Sequence, residues 1–410
     1  MATETAARLA RAVPPLLALA VFINYVDRGN LGVAAPLLKG ELKLSATGLG
    51  VVISAFYWSY APGQILAGWL AERVGPFRTL AAGLAIWSLA TALTGLASSF
   101  ALLLALRVLL GVGESAAFPC ASQIIASRLP DARKGRANAL VMVGTALGPA
   151  AGAWAGGLMM ARWGWRPSFV VFGLVSLLWL IPWGLTARVE ARGAAPPRHP
   201  GRSPGLLEVA RRPELWGAIS GHLMFNLAFY FLISWMPLYL VKVRGLSMSG
   251  MAVTGAVIYL AYAASLIVMG RAADFLVGRG ADAGALHRRF LVGGFLLVAA
   301  SFGVAALAHG AFALVGLFGA AAGFGALTPS NYTLGQLLAG PRAGGVWMGL
   351  QNGLGNVGGI VGPVVVGVIL DSQLGWDGAF AFAAAMAVMG ALSWIFIVRR
   401  VEPVAWGEAA

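Results

Sequence analysis

Twelve apolar stretches recur along a chain of 410 residues, near 13–36, 48–71, 78–97, 99–127, 136–161, 167–187, 214–241, 249–271, 289–308, 311–335, 343–370 and 377–398. Each is long enough for a helix to cross the roughly 30 Å of hydrocarbon in a bilayer, which takes about 20 residues. The expected fold is therefore an all-α membrane protein with twelve transmembrane helices. Composition agrees, since only 11% of the residues are charged, against about 25% in soluble domains. The 56 glycines suit helices that pack closely in lipid. A single cysteine, Cys120, excludes an intrachain disulfide and a cysteine metal cluster; no cofactor or metal is expected. The first apolar run follows Arg8 and Arg11 and continues through Asn24, Asp27 and Arg28, so it is expected to stay as a full span and not to be cleaved as a signal peptide.

The net charge of +14 raises nucleic acid as a partner, but the distribution of the charge argues against it. Of the 29 Lys and Arg, 21 fall in segments that twelve spans place in the cytoplasm and six in outer loops, while Arg28 and Arg107 lie inside spans. That asymmetry is the positive-inside pattern. It predicts a multi-pass protein of a bacterial-type inner membrane with both termini in the cytoplasm.

Between the sixth and seventh stretches runs RVEARGAAPPRHPGRSPG (188–205). It is too rich in Pro, Gly and Arg to span and reads as a cytoplasmic linker. The predicted organisation is a six-helix bundle over 1–187, a linker over 188–213 and a second six-helix bundle over 214–410. The halves repeat each other. GWLAERVGPFR (68–78) is matched by GRAADFLVGRG (270–280), GTALGPAAGAWAGG (144–157) by GNVGGIVGPVVVG (355–367), and WGWRPSF (163–169) by LGWDGAF (374–380). Two six-helix halves related by an axis along the membrane normal, with a site near the midplane, is a transporter plan.

The fourth stretch carries the chemistry in RVLLGVGESAAFP (107–119). Seven residues separate Arg107 from Glu114, which returns both to one helix face about two turns, or ~10 Å, apart. Gly111 lies between them and leaves room for whatever approaches. Ionisable groups at membrane depth are costly and mark substrate or proton paths; a structural ion pair between helices is the competing reading. In the first stretch, Asp27 and Arg28 stand at similar depth. Arg28 offers a planar fork of donors suited to a carboxylate. Asp27 and Glu114 are the only carboxylates well inside the spans, and two acids balance two arginines.

These residues resemble the major facilitator superfamily. GWLAERVGPFR is similar to its loop signature between helices two and three, with Glu72 where Asp is commoner, and the Gly-Pro run of span five is similar to its fifth-helix motif. More narrowly, NYVDRGNLGVAAP (24–36) together with RVLLGVGESAAFP resembles the anion:cation symporter branch, which includes bacterial galactonate, glucarate and hexuronate permeases, sialin and the vesicular glutamate carriers. The resemblance implies that Arg28 binds the substrate carboxylate and that Asp27 and Glu114 carry protons. It also points to Ser330 and Asn352, on the tenth and eleventh helices, for hydroxyl recognition.

Burial and a neighbouring arginine act on a carboxylate's proton affinity in opposite senses, so small rearrangements can load or unload it. The expected mechanism is a competition: protons on Asp27 and Glu114 free the arginines for an anion, and proton loss restores the internal pairs. Arg107 is expected as a switchable partner of Glu114, a structural role being its alternative. Tyr25, Tyr60, Asn331 and Asn356 are further candidates for the substrate cavity. Gln123 is a candidate too; nine residues past Glu114, it is half a turn out of phase and is expected to face another helix. Glu72, Arg73 and Arg78 are read as a cytoplasmic latch, with Arg136 a partner and Asp274 its counterpart in the second half. His222 is read as packing, with a proton role left open.

No nucleotide loop or metal cluster supports an enzyme, and GVGESAAF lacks the Gly-x-Ser-x-Gly of a nucleophile elbow. The expected activity is proton-coupled symport of an organic anion, a sugar acid or related carboxylate, by a monomer in lipid. The alternatives are an organic anion or organophosphate exchanger and a proton-driven drug exporter.

Overall fold

The computed structural model describes residues 2–129, 131–190, 204–308 and 312–406. Among them the chain is helical, with no β-strand. The membrane helices are α1 (Ala12–Glu41), α2 (Ala46–Arg73), α3 (Pro76–Thr94), α4 (Phe100–Arg128), α5 (Arg136–Trp163) and α6 (Trp165–Thr186), then α7 (Pro213–Lys242), α8 (Met248–Gly278), α9 (Ala283–Leu307), α10 (Phe312–Gly340), α11 (Arg342–Asp371) and α12 (Gly375–Ile397). Helix is the form that satisfies every backbone group within one segment, which hydrocarbon demands.

Among the described residues, eleven of these helices are both long and apolar enough to cross a membrane; α2, at 28 residues, is not one of them. Its length suffices. Its apolar character is diluted by Ser54, Tyr57, Trp58, Ser59, Tyr60, Pro62 and Gln64, several of which line the site described below.

Contacts divide the chain into two compact units: residues 1–198 with 233–257, and 199–232 with 258–410. The end of α7 and the start of α8 thus belong with the first unit, although the sequence assigned them to the second half. There a Cβ on Gly32 of α1 would lie 2.7 Å from the Ile233 carbonyl oxygen. Much of the expected linker, 191–203, lies outside the described residues.

The matched loops turn on matched glycines. Gly75 after α2 has φ 99° and Gly280 after α8 has φ 94°, while Gly164 before α6 and Gly375 before α12 have φ 79° and 53°. That left-handed region is open to glycine and costly for other residues. In the first unit, Arg166 of α6 also ties three elements together. It pairs with Glu41 at the end of α1 at 2.8 Å and donates to the Ala97 carbonyl between α3 and α4 at 2.8 Å.

Candidate functional site

The site of the first unit begins with glycines. In α5 they recur at every fourth position, and they set α1 against it. A Cβ on Gly144 would stand 2.7 Å from the Ala18 carbonyl oxygen, and one on Gly148 would stand 2.6 Å from Tyr25 Cβ. Next to Pro149 the helix widens into a π turn over Gly152–Gly156, beside Val26 and Asn30 of α1. Close backbones of this kind fix the rotation of α1 and hence where Asp27 and Arg28 point. Gly111 does the same for α4: a Cβ there would collide with the Phe56 carbonyl oxygen and the Ser59 hydroxyl of α2. The Ser59 hydroxyl closes the contact by donating to the Val108 carbonyl at 2.6 Å.

Into this frame Arg28 donates from Nε to Glu114 Oε2 at 2.8 Å, and both side chains are buried. The guanidinium carbon lies 4.3 Å from the centre of the Tyr60 ring and 5.0 Å from those of Tyr25 and Phe56. Phe56 stacks on Tyr60 with centroids 4.9 Å apart, and Arg107 reaches the Phe56 ring at 5.3 Å. Cations over aromatic faces at such distances gain from the ring quadrupole, more so when water is excluded. Asp27 is buried close to Arg107 and Glu114, with Thr91 of α3 facing it.

Several buried polar atoms here close no hydrogen bond among the described residues. Among them are both carboxylate oxygens of Asp27, Oε1 of Glu114, Nη2 of Arg28 and Nε of Arg107. A buried polar atom without a partner costs about 1–3 kcal/mol and calls for an explanation. The site thus presents spare cationic donors and spare carboxylate acceptors within one aromatic enclosure.

The pairing differs from the one expected. Glu114 is held by Arg28 of α1, and Arg107 makes no ion pair among the described residues. Two turns of one helix separate Arg107 from Glu114, whereas α1 brings a second arginine directly against the carboxylate. Directly after Glu114, α4 is interrupted at Ser115 and Ala116, where Ala116 N–H bonds to the Gly113 carbonyl three residues back. Gln123 lies beyond this point, its Oε1 buried without a partner among the described residues. Tyr25 and Tyr60, candidates for the substrate cavity, both lie against Arg28. Thr91 and Tyr57, which packs edge-on against Phe56 with centroids 4.8 Å apart, were missed; no spacing rule ties α3 to α1.

Glu72, Arg73, Arg78, Arg136 and Asp274 are exposed, and no ion pair joins them among the described residues. Arg73 instead lies over the Trp69 ring at 4.3 Å.

The second unit holds a neutral cluster. Asn331 Nδ2 lies 3.1 Å and Gln351 Nε2 3.5 Å from Nδ1 of His222, and Trp347 donates to Gln351 Oε1 at 3.0 Å. Asn226 donates to the Gly355 carbonyl at 2.9 Å, where α11 breaks, and Tyr230 donates to Asn356 Oδ1 at 2.8 Å. Asn356 in turn donates to the Asn352 carbonyl at 2.7 Å. Ser330 meets Nδ1 of His287 on α9 at 3.1 Å, so it does not join Asn331 in the His222 cluster. Trp347 went unnoticed, although its spacing of four from Gln351 on one helix makes the pair legible.

The profile of the Major Facilitator Superfamily matches residues 17–363 and 259–410. The chain is 31% identical over 409 residues to the probable sulfoacetate transporter of Cupriavidus necator, covering 93% of this chain and 92% of that one. It is 29% identical over 402 residues to the hexuronate transporter of Bacillus subtilis, covering 95% and 94%. The probable galactarate/D-glucarate transporter of the same organism is 27% identical, covering 95% and 92%. Among solved structures, a bacterial homologue of the human lysosomal transporter Spinster superposes with a TM-score of 0.78 at 21% identity, covering 97% of this chain and 99% of that one, a likeness of fold. The chain is an integral multi-pass membrane protein that belongs to the major facilitator superfamily, a family of transporters and not of enzymes.

Proposed function

We propose that this chain is a proton-coupled symporter of a small organic anion, working by alternating access as a monomer in a bacterial inner membrane with both termini cytoplasmic. The observation that carries the reading is the Arg28–Glu114 pair in its aromatic enclosure, with Arg28 Nη2, Arg107 Nε and the Asp27 carboxylate left without partners among the described residues. The relatives support the class of solute: hexuronate, galactarate or D-glucarate, and sulfoacetate are all small acids.

The geometry suggests how proton and anion are linked. While ionised, Glu114 occupies one edge of the Arg28 fork. A proton on Glu114 removes that competing charge, and a substrate carboxylate or sulfonate takes its place on the same guanidinium. Arg107 supplies a second cation within the enclosure, and Asp27 accepts a further proton. Loss of the protons on the other side restores the Arg28–Glu114 pair and expels the anion. A neutral solute would not compete with Glu114 in this way.

The test is uptake into proteoliposomes holding the purified protein, with hexuronate, galactarate and sulfoacetate as solutes and an imposed pH gradient. Glu114→Gln is expected to abolish accumulation driven by the gradient while counterflow continues. Accumulation that needs a counter-anion inside and ignores the gradient would replace symport by exchange. Loss of counterflow in Glu114→Gln would place Glu114 among the groups that bind solute.

A further inference from the structure

After α12 ends at Ile397, residues 398–406 run on without secondary structure. Within the second unit they are bound at points and not packed along their length. Val398 and Trp406 are buried, whereas Glu402, Pro403 and Ala405 are exposed. Between the buried ends the segment passes the first turn of α9, where a Cβ on Gly284 would stand 2.8 Å from the Val401 carbonyl oxygen.

Its hydrogen bonds gather where α10 meets α11. Gly340, with φ 63° and ψ 179°, stops α10, and a helix end leaves its last four carbonyls without partners in the helix. Two of these are met by the segment. Val404 N–H donates to the Leu338 carbonyl at 2.9 Å, and the Trp406 indole N–H donates to the Ala339 carbonyl at 2.8 Å. Across the joint, the Trp406 ring lies edge-on to Trp347 of α11 with centroids 6.4 Å apart. Arg342, at the start of α11, donates to the Trp406 carbonyl at 3.5 Å, and Arg212, just before α7, to that of Ala405 at 2.9 Å. Trp347 in turn donates to Gln351 Oε1 at 3.0 Å, so the ring that meets the segment also belongs to the buried neutral cluster.

One indole is thus fastened to α10 and packed on α11. A change in the angle between these helices must loosen one contact or the other. Docking of the segment and the geometry of the joint are therefore linked, and such linkage acts in both directions. A stretch held by few buried groups, with exposed residues between them, also opens more readily than the helices beneath it.

We propose that residues 398–406 form a releasable strap that regulates transport: docked, it caps α10 and fixes the joint with α11; released, it lets the two helices move. That this movement serves transport rests on the transport reading above; the docking equilibrium does not.

Two experiments on the full chain test this, each with Cys120→Ser so that introduced thiols stand alone. A spin label on Ala405→Cys in nanodiscs reads docking through its mobility. Two components are expected, a slow docked one and a fast free one. Trp406→Ala should make the fast one dominant, and Trp406→Phe, which keeps a ring without the N–H, should fall between. A single slow component, or a label left slow by Trp406→Ala, overturns the proposal. In proteoliposomes, Arg342→Cys with Ala405→Cys is bridged by a short reducible dithiol reagent. Uptake should fall at least tenfold on bridging and return on reduction. Uptake undiminished by the bridge would make the segment a fixed cap and overturn its regulatory role. The two readings fail separately. Absence of uptake by the wild type, with both mobility components present, would sink the transport reading and leave the docking equilibrium standing. Undiminished uptake through the bridge, with Arg28→Ala inactive, would sink this inference alone.

Discussion

In α2 and α4 the Ser59 hydroxyl donates to the Val108 carbonyl at 2.6 Å, three residues before Gly111. In α8 and α10 the Ser265 hydroxyl donates to the Ala322 carbonyl at 2.7 Å, three residues before Gly325. Gly111 abuts the Phe56 carbonyl and Gly325 abuts that of Tyr262. The other helix pair repeats too. Gly144 of α5 meets Ala18 and Phe22 of α1 as Gly358 of α11 meets Leu223 and Leu227 of α7. The scaffold is thus the same twice, and the cargo of side chains is not. Three residues past Gly111 stands Glu114, and three past Gly325 stands Thr328; four before them stand Arg107 and Ala321. Six beyond Phe22 is Arg28, preceded by Asp27; six beyond Leu227 is Ile233, preceded by Leu232. One copy of the frame was loaded with four charges and the other with none. Packing and charge have therefore been varied independently, which makes them separable by experiment.

The largest effect is expected from Arg28→Ala. Removing one partner of a buried ion pair leaves the other charge uncompensated, which costs about 3–5 kcal/mol, and solute uptake should be lost. Thr328→Val at the matching place removes a hydroxyl that donates to the Phe324 carbonyl of its own helix; about 1 kcal/mol is expected. Adding Glu114→Gln to Arg28→Ala should restore most of the stability and none of the uptake. Chemical denaturation in detergent reads the first quantity and proteoliposome uptake the second. If Arg28→Ala proves as mild as Thr328→Val, the pair is not what holds Glu114.

Next come the two glycines at the helix contacts. Gly111→Ala and Gly325→Ala each force a methyl into backbone, and overpacking of that kind costs about 1–3 kcal/mol. Because the frames match, the two losses should be similar in melting experiments. Their effects on affinity should differ. Gly111→Ala displaces Phe56, whose ring lies against both Arg28 and Arg107, so anion affinity should fall, while Gly325→Ala should leave it near the wild-type value. Equal affinity losses would mean that the charged site depends on both frames alike.

Titration gives the third contrast. In the proposed cycle protons bind with the anion, so uptake falls as pH on the loading side rises and the carboxylates empty. Asp27→Asn fixes one of them in the neutral form. Accumulation should drop by about tenfold for each pH unit of gradient, or about 1.4 kcal/mol, with counterflow kept and the pH slope flattened. No change in the second unit at Leu232 or Thr328 can produce that flattening, because neither side chain titrates. A slope untouched by Asp27→Asn would move proton coupling to Glu114 alone.

Much of this was legible in the sequence. Apolar runs gave the helices, the matched Gly-Pro segments gave the repeat, and Arg28, Asp27 and Glu114 stood out because ionisable groups are rare in spans. What escaped is what depends on one helix meeting another. The partner of Glu114 comes from α1, 86 residues away in the chain, and no count along α4 reveals it. Ser330 and Asn331 are adjacent in sequence and so face about 100° apart on α10; one meets His287 and the other His222. Polarity made both candidates, but only tertiary packing separates them. The same polarity explains why α2 is less apolar than the other eleven helices: its Tyr57, Ser59 and Tyr60 serve the site.

The smallest effects should come from the two hydroxyls that join the frames. Each of Ser59 and Ser265 satisfies a carbonyl on the neighbouring helix that is already bonded within its own helix, so its loss strands no obligatory partner. Hydrogen bonds of this type between membrane helices are worth about 0.6 kcal/mol on average, and Ser59→Ala and Ser265→Ala should each cost that much. The informative quantity is the difference between them. Ser59 is packed against Gly111, within a turn of Phe56, so any shift it permits reaches the Arg28 enclosure; Ser265 is packed against Gly325 of α10, within a turn of Tyr262. Equal stability losses with a weaker anion affinity for Ser59→Ala alone would show that the two frames bear equal mechanical load and that only one transmits it to charge. A larger stability loss at Ser59 would instead mean that the buried ion pair strains its own frame, and that the closeness of the two geometries conceals unequal stress.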